Sequence, residues 1–406
     1  MKRSNMMKRV AALAAMLLAG AAVAGETVAG EKKYGPGVSD TEIKIGQTIP
    51  YSGPLSVHGI QGRTEVAYFK MLNERGGING RKINLISLDD AFSPPKTVEQ
   101  TRKLVEQDGV LAIWASSGTA AQTAVQKYLN NLGVPQIMLS TGANKWNQPK
   151  LYKWSTPASF LYGTEAEIYG RYVATEKPGA KIGILYQNDD FGRDYVSGFK
   201  KGLGDKVSLI VKEATYELSD PTLDSQVVAL KNAGADVFFN VTLGKATSQV
   251  LKKVTELNWK PTHIIASPSS GRIYLEAAGL ENVQGLITAT AYKQVSSPRF
   301  ADDPDVKAYL AFMKERLPND DVGNEIGFVT YSWAHVLAHI IEQCGDDLTR
   351  ENLLHQATHL RNVPSPALLP GITYNTSGDD YVPLKQLQLF RFQGTDWTPV
   401  GPLAGG

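Results

Sequence analysis

The chain has 406 residues, a formal net charge of +2 at pH 7 and a single cysteine. This near-neutral balance provides no basic face for a nucleic-acid partner. The lone Cys344 excludes both an internal disulfide and a metal–thiolate site. The length predicts two or three domains.

The N-terminus has the order of charged, apolar and small residues that is typical of a secretory signal. Residues 11–24 form an apolar run of about 14 residues, which is shorter than the ~20 needed to span a bilayer, so the alternative of a membrane anchor is disfavoured. We predict a signal peptide at 1–24 that is cleaved. No cysteine lies near the cleavage point, so a lipid anchor there is excluded. The four positive charges removed are Lys2, Arg3, Lys8 and Arg9, which leaves a formal net charge of −2.

The first half of the chain alternates strand and helix patterns. Strands are predicted at 42–46, 83–88, 110–115 and 136–140, and helices at 60–75, 94–107 and 119–131. Such a βαβα order predicts a parallel sheet with helices on both faces.

A second series of the same kind begins near residue 180. Strands are predicted at 181–186, 207–214, 236–241 and 263–266, and helices at 192–203, 223–233 and 245–257. The stretch 303–360 is mostly helical, and the tail returns to strands at 372–374 and 384–392. Each α/β unit therefore needs segments from the last third of the chain, and the crossings between the units would form a hinge.

Ligands of open parallel sheets bind beyond the carboxyl ends of the strands. Two such sheets facing each other would place these ends across one cleft, which could close around a small molecule by hinge motion.

Two strand-end loops in the first unit are candidate ligand contacts. The sequence ASSGT at 115–119 joins a strand to a helix, whose first N–H groups could bind a carboxylate. The alternative is that Ser117 or Thr119 only caps the helix. The sequence STGAN at 140–144 also follows a strand, and its glycine would allow close approach to a ligand, although an ordinary loop has the same pattern.

In the second unit, Phe191 follows a strand and would point toward the cleft, where it could stack on a flat ligand. Asp189 and Asp190 beside it are interpreted as cap and turn residues. The motifs GxSxG, HExxH and GxxxxGK[ST] are missing from the sequence, so no enzyme class is indicated. His335 and His339 have i, i+4 spacing, but apolar neighbours favour a packed helix face over a metal site.

An ordered set of short motifs carries a family resemblance: IG at 45–46, SGP at 52–54, GGING at 76–80, LDD at 88–90, YQNDDFG at 186–192 and GL at 285–286. Together they resemble the branched-chain amino-acid type of periplasmic binding protein that serves ABC importers. The resemblance covers nearly the whole mature chain. It implies a periplasmic protein with two Rossmann-like lobes and a three-crossing hinge, and we expect lobe I at 25–157 plus 290–370 and lobe II at 158–289 plus 371–406.

The resemblance also implies positions for the ligand site. The carboxylate contacts of the family fall on Ser116, Thr119, Gly142 and Asn144, and Asn144 replaces a threonine of the leucine-binding pattern. The aromatic positions fall on His58 and Phe191, and a family tyrosine falls around Thr242 or Leu243. We add Ser117 to the anion site and Tyr162, from the crossing segment, to the aromatic wall.

The acid that neutralises the ammonium group in amino-acid binders falls on Ser269. An ammonium buried without a counter-charge would be costly, so we predict a carboxylate ligand without an α-ammonium. The sequences YSGP at 51–54, SPPKTVEQ at 93–100 and CGDDL at 344–348 look closest to the subgroup that binds aromatic carboxylates such as benzoate or coumarate derivatives. If an amino acid binds instead, the missing acid could be Asp89, Asp189 or Glu325.

We therefore expect a binding protein that is not an enzyme and uses no cofactor or metal. Its partners would be a small carboxylate, an aromatic acid by the subgroup resemblance, and the membrane permease of an ABC importer. We expect it to act as a monomer. The alternatives are a binder of branched-chain or other hydrophobic amino acids, and a ligand sensor that acts through a partner receptor.

Overall fold

The computed structural model describes residues 32–405, so the signal peptide predicted at 1–24 lies outside the described residues. The chain begins with the elements β1 (Lys33–Tyr34), β2 (Glu42–Ile49), α1 (Gly59–Glu74), β3 (Lys82–Asp89), α2 (Pro94–Arg102), β4 (Ala112–Trp114), α3 (Thr119–Asn131), β5 (Gln136–Leu139) and β6 (Ser155–Pro157).

The middle of the chain continues with α4 (Tyr162–Glu176), β7 (Ile182–Gln187), α5 (Asp190–Leu203), β8 (Ile210–Tyr216), α6 (Asp224–Asn232), β9 (Val237–Val241), α7 (Lys245–Glu256), β10 (Thr262–Ile265), α8 (Arg272–Ala278) and β11 (Ile287–Thr290). The last third contains α9 (Pro304–Arg316), α10 (Glu325–Cys344), β12 (Asp347–Leu348), α11 (Arg350–Ala357), β13 (Gln386–Gln393) and β14 (Asp396–Gly405).

Two large sheets organise these elements. The first has the order β3-β2-β4-β5-β6 and is parallel throughout. The second has the order β14-β13-β11-β10-β9-β7-β8, in which β13 and β14 form an antiparallel edge on a parallel sheet. The predicted α/β class with two mainly parallel sheets is confirmed. We call the part built on the first sheet lobe I and the part built on the second sheet lobe II.

The chain passes between the two sheets three times: after β6, after β11 and before β13. Helices from the last third complete lobe I, since the Arg350 guanidinium on α11 donates to the carbonyl oxygens of Val110 and Leu111 just before β4. The third crossing comes later than the expected residue 371. Tyr381 N–H donates to Asn147 Oδ1 at 2.8 Å and Thr376 Oγ1 donates to Ala357 O at 3.0 Å, so this stretch lies on lobe I.

The cores follow from the strand sequences. In β2 the side chains of Ile43 and Ile45 are fully buried, and all three residues of β4 are buried, as expected for a central parallel strand covered on both faces.

Two predicted elements differ from the structure. The helix predicted at 94–107 is α-helical only up to Arg102 and continues as a wider π-type turn. The strand expected at 372–374 is a loop with one isolated bridge, between Val363 and Tyr374.

His335 lies on α10 in contact with aromatic rings: its ring centroid is 4.5 Å from that of Tyr331 and 4.6 Å from that of Tyr68.

Within residues 32–405, none of the helices combines the length and the apolar character required to cross a membrane.

Candidate functional site

A cavity of about 200 Å³ lies between the two lobes, at the carboxyl ends of their parallel strands. Its wall contains the first residues of α3 and α10 from lobe I, those of α5 and α8 from lobe II, and crossing residues around Ser159 and Tyr292. Seven predicted site residues line it: His58, Ser117, Thr119, Gly142, Tyr162, Phe191 and Leu243.

The start of α3 forms a donor-rich end of this cavity. In the described part of the chain, no side chain caps this helix, so its first N–H groups remain available. Ser117 is 4% exposed and its hydroxyl has no hydrogen-bond partner among residues 32–405. The Thr119 and Thr141 hydroxyl oxygens are 2.6 Å apart. This end therefore offers backbone N–H groups and hydroxyls to one small anionic group.

Gly118 makes room for this arrangement. Its φ angle is 94°, which favours glycine, and a Cβ there would lie 2.5 Å from Cε2 of the Phe92 ring. Phe92 also lines the cavity, so the glycine allows an aromatic ring to lie directly beside the helix start.

The structure places Ser116, Asn144 and Ser269 outside the cavity wall, because their polar atoms are used inside the protein. Ser116 is fully buried and its Oγ accepts a hydrogen bond from Thr48 N at 2.9 Å. Asn144 Oδ1 accepts from Gly163 N at 3.0 Å, at the start of α4. The Ser269 hydroxyl donates to the carbonyl oxygen of Thr242.

An aromatic cluster from lobe II and the first crossing forms the adjacent wall. Phe191 is 2% exposed and meets Tyr162 edge to face, with ring centroids 5.0 Å apart at 86°. Tyr162 in turn stacks on Tyr195 at 4.9 Å. Burial raises the pKa of the Tyr162 hydroxyl, while Thr141, Gly142 and Thr119 near it act in the opposite direction. The wall is therefore mainly aromatic, and the Tyr162 hydroxyl in it is neutral at pH 7.

Contacts between the lobes show that the cleft is closed. His58 Nε2, from lobe I, lies 3.2 Å from the Tyr274 hydroxyl of lobe II. Lys145 Nζ of lobe I also forms an ion pair with Asp190 Oδ2 of lobe II, at 2.8 Å. Burial lowers the pKa of His58 to about 4, so its imidazole is neutral at pH 7. A neutral ring can accept the tyrosine hydrogen bond.

Two of the three acids considered from the sequence line the cavity. Asp189 caps α5, where its Oδ1 accepts from Gly192 N at 3.1 Å and its Oδ2 from Gln187 Nε2 at 2.6 Å. Glu325 accepts from Ser296 Oγ at 2.7 Å and from Arg272 N at 3.3 Å. Burial raises the pKa of both carboxyl groups. Asp89 lies outside the wall.

A buried carboxylate supports the loop that carries Ser267. Glu165 is fully buried on α4 and accepts hydrogen bonds from the hydroxyls of Tyr169 and Tyr195, both at 2.6 Å. It also accepts from Ser267 N at 2.7 Å and Ser267 Oγ at 2.8 Å. Burial outweighs these four donors and raises its pKa to about 7. Since Ser267 lines the cavity, Glu165 holds part of the site in place.

Several wall residues were not predicted from the sequence. Thr141 stood within the quoted STGAN loop but was not chosen. Tyr274 on α8, and Gln294 and Asn324 near the second crossing and α10, carried no local signal. Lys293 also lines the cavity, but its ammonium group is paired with Asp303 at 2.8 Å and Asp305 at 3.2 Å.

A family model described as periplasmic binding protein matches residues 42–395. Among curated proteins, the chain is 25% identical over 242 residues to Leu/Ile/Val-binding protein homolog 7 of Brucella abortus (strain 2308), covering 57% of this chain and 60% of that protein. It is 24% identical over 356 residues to homolog 1 of the same strain, covering 86% of this chain and 90% of that protein. The chain thus spans less than two thirds of homolog 7.

Solved structures share the fold. A branched chain amino acid ABC transporter protein from Thermus thermophilus with bound valine has a TM-score of 0.81 at 17% identity, covering 91% of this chain and 98% of the other. A solute binding protein of an ABC transporter from R. palustris, in complex with benzoate, has a TM-score of 0.74 at 19% identity, covering 90% and 98%.

Proposed function

Because the chain belongs to the periplasmic binding protein family, we propose that it is the solute-binding protein of an ABC importer. It captures a small organic carboxylate with a flat apolar body, an aromatic acid, in the cleft between the lobes and delivers it to a membrane permease. Binding is reversible and involves no chemical change of the ligand. The protein acts in the periplasm as a monomer after removal of residues 1–24.

The donor-rich end of the cavity carries this proposal. The first N–H groups of α3 and the Ser117 hydroxyl lack partners within the described chain, and Thr119 and Thr141 lie beside them. A carboxylate would satisfy these donors at once and would interact favourably with the positive end of the helix dipole. His58, Ser117, Thr119, Gly142 and Leu243 are therefore proposed as ligand contacts.

The apolar body of the ligand would lie against Phe191 and Tyr162. Aromatic rings that meet edge to face leave their remaining faces for offset or edge contacts with a flat ligand. The benzoate complex of the R. palustris protein supports an aromatic acid, since its fold is shared over most of the chain.

One observation favours a second candidate, a hydrophobic amino acid. Glu325 lines the cavity and its carboxylate could neutralise an ammonium group. The valine complex of the Thermus thermophilus protein and the Leu/Ile/Val-binding relatives agree with this alternative.

Isothermal titration calorimetry separates the two candidates. Benzoate, cinnamate, benzamide, leucine and valine would be titrated into the purified mature protein. We expect the aromatic acids to bind and benzamide, leucine and valine to bind at least tenfold more weakly. Leucine or valine binding as tightly as the aromatic acids would refute the aromatic-acid proposal. Recovery of a chemically altered ligand would refute reversible binding.

Transport and sensing are distinguished in cells. If the protein serves an importer, deletion of its gene or of the permease gene abolishes growth on the bound acid. Growth that survives both deletions, together with a lost transcriptional response to the acid, would indicate a sensor.

A further inference from the structure

The loop between β2 and α1 extends from lobe I to lobe II, and we call residues 53–58 the docking loop. Its base is fixed to lobe I by Ser52, whose N–H and hydroxyl donate to the two carboxylate oxygens of Asp89 at 3.1 Å and 2.6 Å. Within the loop, His58 N–H donates to Leu55 O at 2.9 Å and closes a short 3-10 turn. The docking loop therefore moves together with lobe I.

Leu55 is the apolar tip of the docking loop. It is 2% exposed, although Pro54 and Ser56 on either side of it are exposed. It contacts Gly244 of lobe II, where the chain turns from β9 into α7. A Cβ on Gly244 would lie 2.4 Å from Leu55 Cδ2, well inside the ~3.5–4.0 Å at which carbon atoms normally meet. The lobes approach this closely because position 244 has no side chain.

A polar contact three residues later supports the same docking. His58 Nε2 lies 3.2 Å from the hydroxyl oxygen of Tyr274, a lobe II residue that is 4% exposed. Within residues 32–405, this is the one hydrogen bond that the Tyr274 hydroxyl forms. Leu55, His58 and Tyr274 all line the cavity. The interlobe contact and the ligand site therefore share one wall.

The position of this contact ties it to closure of the cleft. Neither Leu55 nor Gly244 belongs to one of the three crossings that join the sheets. Leu55 is carried by lobe I and Gly244 by lobe II, so opening the cleft about the crossings separates them. Burial of the Leu55 side chain against Gly244 therefore stabilises the closed arrangement and is lost when the cleft opens.

We infer that Leu55 and Gly244 form an interlobe contact that holds the cleft closed and thereby sets how long the ligand stays bound. The inference rests on the proposed function and adds to it the residues that control release. Leu55 is a positioning residue in this role, because it acts through the distance between the lobes. A side chain at position 244 would hold the lobes apart or push Leu55 into the cavity.

Gly244→Ala tests this inference directly. Calorimetry measures its affinity for benzoate, and stopped-flow fluorescence of Trp333, which lines the cavity, measures the two rates. We expect the variant to bind benzoate about 10-fold to 100-fold more weakly than the wild type, the effect of one overlapping methyl group. The dissociation rate should rise by the same factor while the association rate stays nearly unchanged, since closure follows encounter.

Gly204→Ala is the matched control for backbone strain. Gly204 also belongs to lobe II, and its φ and ψ of 59° and −124° resemble the 56° and −131° of Gly244. A Cβ there would meet no atom within 4 Å. Both variants should therefore lose similar stability in urea unfolding, but Gly204→Ala should bind benzoate as the wild type does. Equal weakening of binding by the two variants would refute the inference.

The Leu55→Ala background supplies the rescue. It removes the overlapping methyl group, and the next atom near a Cβ on Gly244 is Pro54 O at 3.5 Å, an ordinary contact. In this background Gly244→Ala should weaken benzoate no more than about twofold, as for sites that do not interact. The same loss in both backgrounds, or slower association in place of faster dissociation, would contradict the inference.

Leucine serves as a second probe, because the interlobe contact does not depend on the chemistry of the ligand. If leucine binds the wild type and benzoate does not, the aromatic-acid proposal fails, and the same four proteins titrated with leucine decide the inference. If neither probe binds, the proposed function fails and the inference falls with it. If benzoate binds and the two substitutions act independently, the inference is refuted and the proposed function stands.

Discussion

Replacing Thr119 by valine keeps the shape of the side chain and removes its hydroxyl. The residue is 4% exposed at the first turn of α3, and its Oγ1 is 2.6 Å from Thr141 Oγ1. A hydrogen bond to a charged group contributes about 1.5–3 kcal/mol. If the Thr119 hydroxyl binds the ligand carboxylate, Thr119→Val should weaken an aromatic acid about 10-fold to 100-fold.

The assay compares benzoate with its neutral amide, benzamide, by calorimetry. The amide presents no charge to the helix start, so we expect its affinity to fall no more than about threefold, the effect of a weak neutral hydrogen bond. The acid-to-amide ratio should therefore drop by at least a factor of three in the variant.

Thr123→Val is the control for this substitution. Thr123 lies one turn later on α3, and its hydroxyl donates to the Thr119 carbonyl at 2.7 Å without lining the cavity. It should leave the acid-to-amide ratio unchanged. The reasoning is refuted if Thr119→Val weakens acid and amide equally, or if Thr123→Val changes the ratio as much.

Two further predictions concern the walls of the site. Phe191→Ala should weaken acid and amide alike and lower the free energy of unfolding by about 3 kcal/mol, because the ring packs edge to face on Tyr162 and Tyr195; calorimetry and urea unfolding measure both effects, and a changed acid-to-amide ratio would contradict the assignment. Burial raises the pKa of Glu165 from 4.5 to about 7, so the native state holds an extra proton between these values and stability should fall by about 3 kcal/mol as the pH rises through them. Urea unfolding at pH 5 and pH 8 should show this loss in the wild type but not in Glu165→Gln, and an equal loss in the variant would contradict it.

Helices and strands were mostly predictable from the sequence where the local spacing of apolar residues matches the face that is buried in the fold. Helix α3 spans residues 119–131 as expected, and β2 and β3 differ from the prediction by at most three residues at either end. Helix α4 was missed because glycines interrupt its pattern. Gly170 is required for packing, since a Cβ there would lie 2.3 Å from Phe199 O of α5. Strand β14 contains two prolines, which only an edge strand tolerates.

The site was predictable where it follows single strand-to-helix junctions, as at Ser117, Thr119 and Phe191. Ser116, which the family resemblance assigned to the carboxylate site, lies off the cavity wall. Ala115 before it has a φ angle of 48°, which ends the regular alternation of side chains along β4. Gln294 and Asn324 reach the cavity through the second crossing and a helix from the last third of the chain. Their position depends on tertiary packing over long sequence separations, which local patterns do not encode.

The pairing of β1 with β12 has a consequence for the synthesis and folding of the protein. Lys33 and Tyr34 pair with Asp347 and Leu348, so the first strand within residues 32–405 pairs with a segment more than 300 residues away in sequence. Lobe II is likewise incomplete until β13 and β14 have been made. Contacts at such separations are slow to form. A ribosome therefore releases nearly the whole polypeptide before either half can reach its native state, and the two halves mature together instead of one after the other.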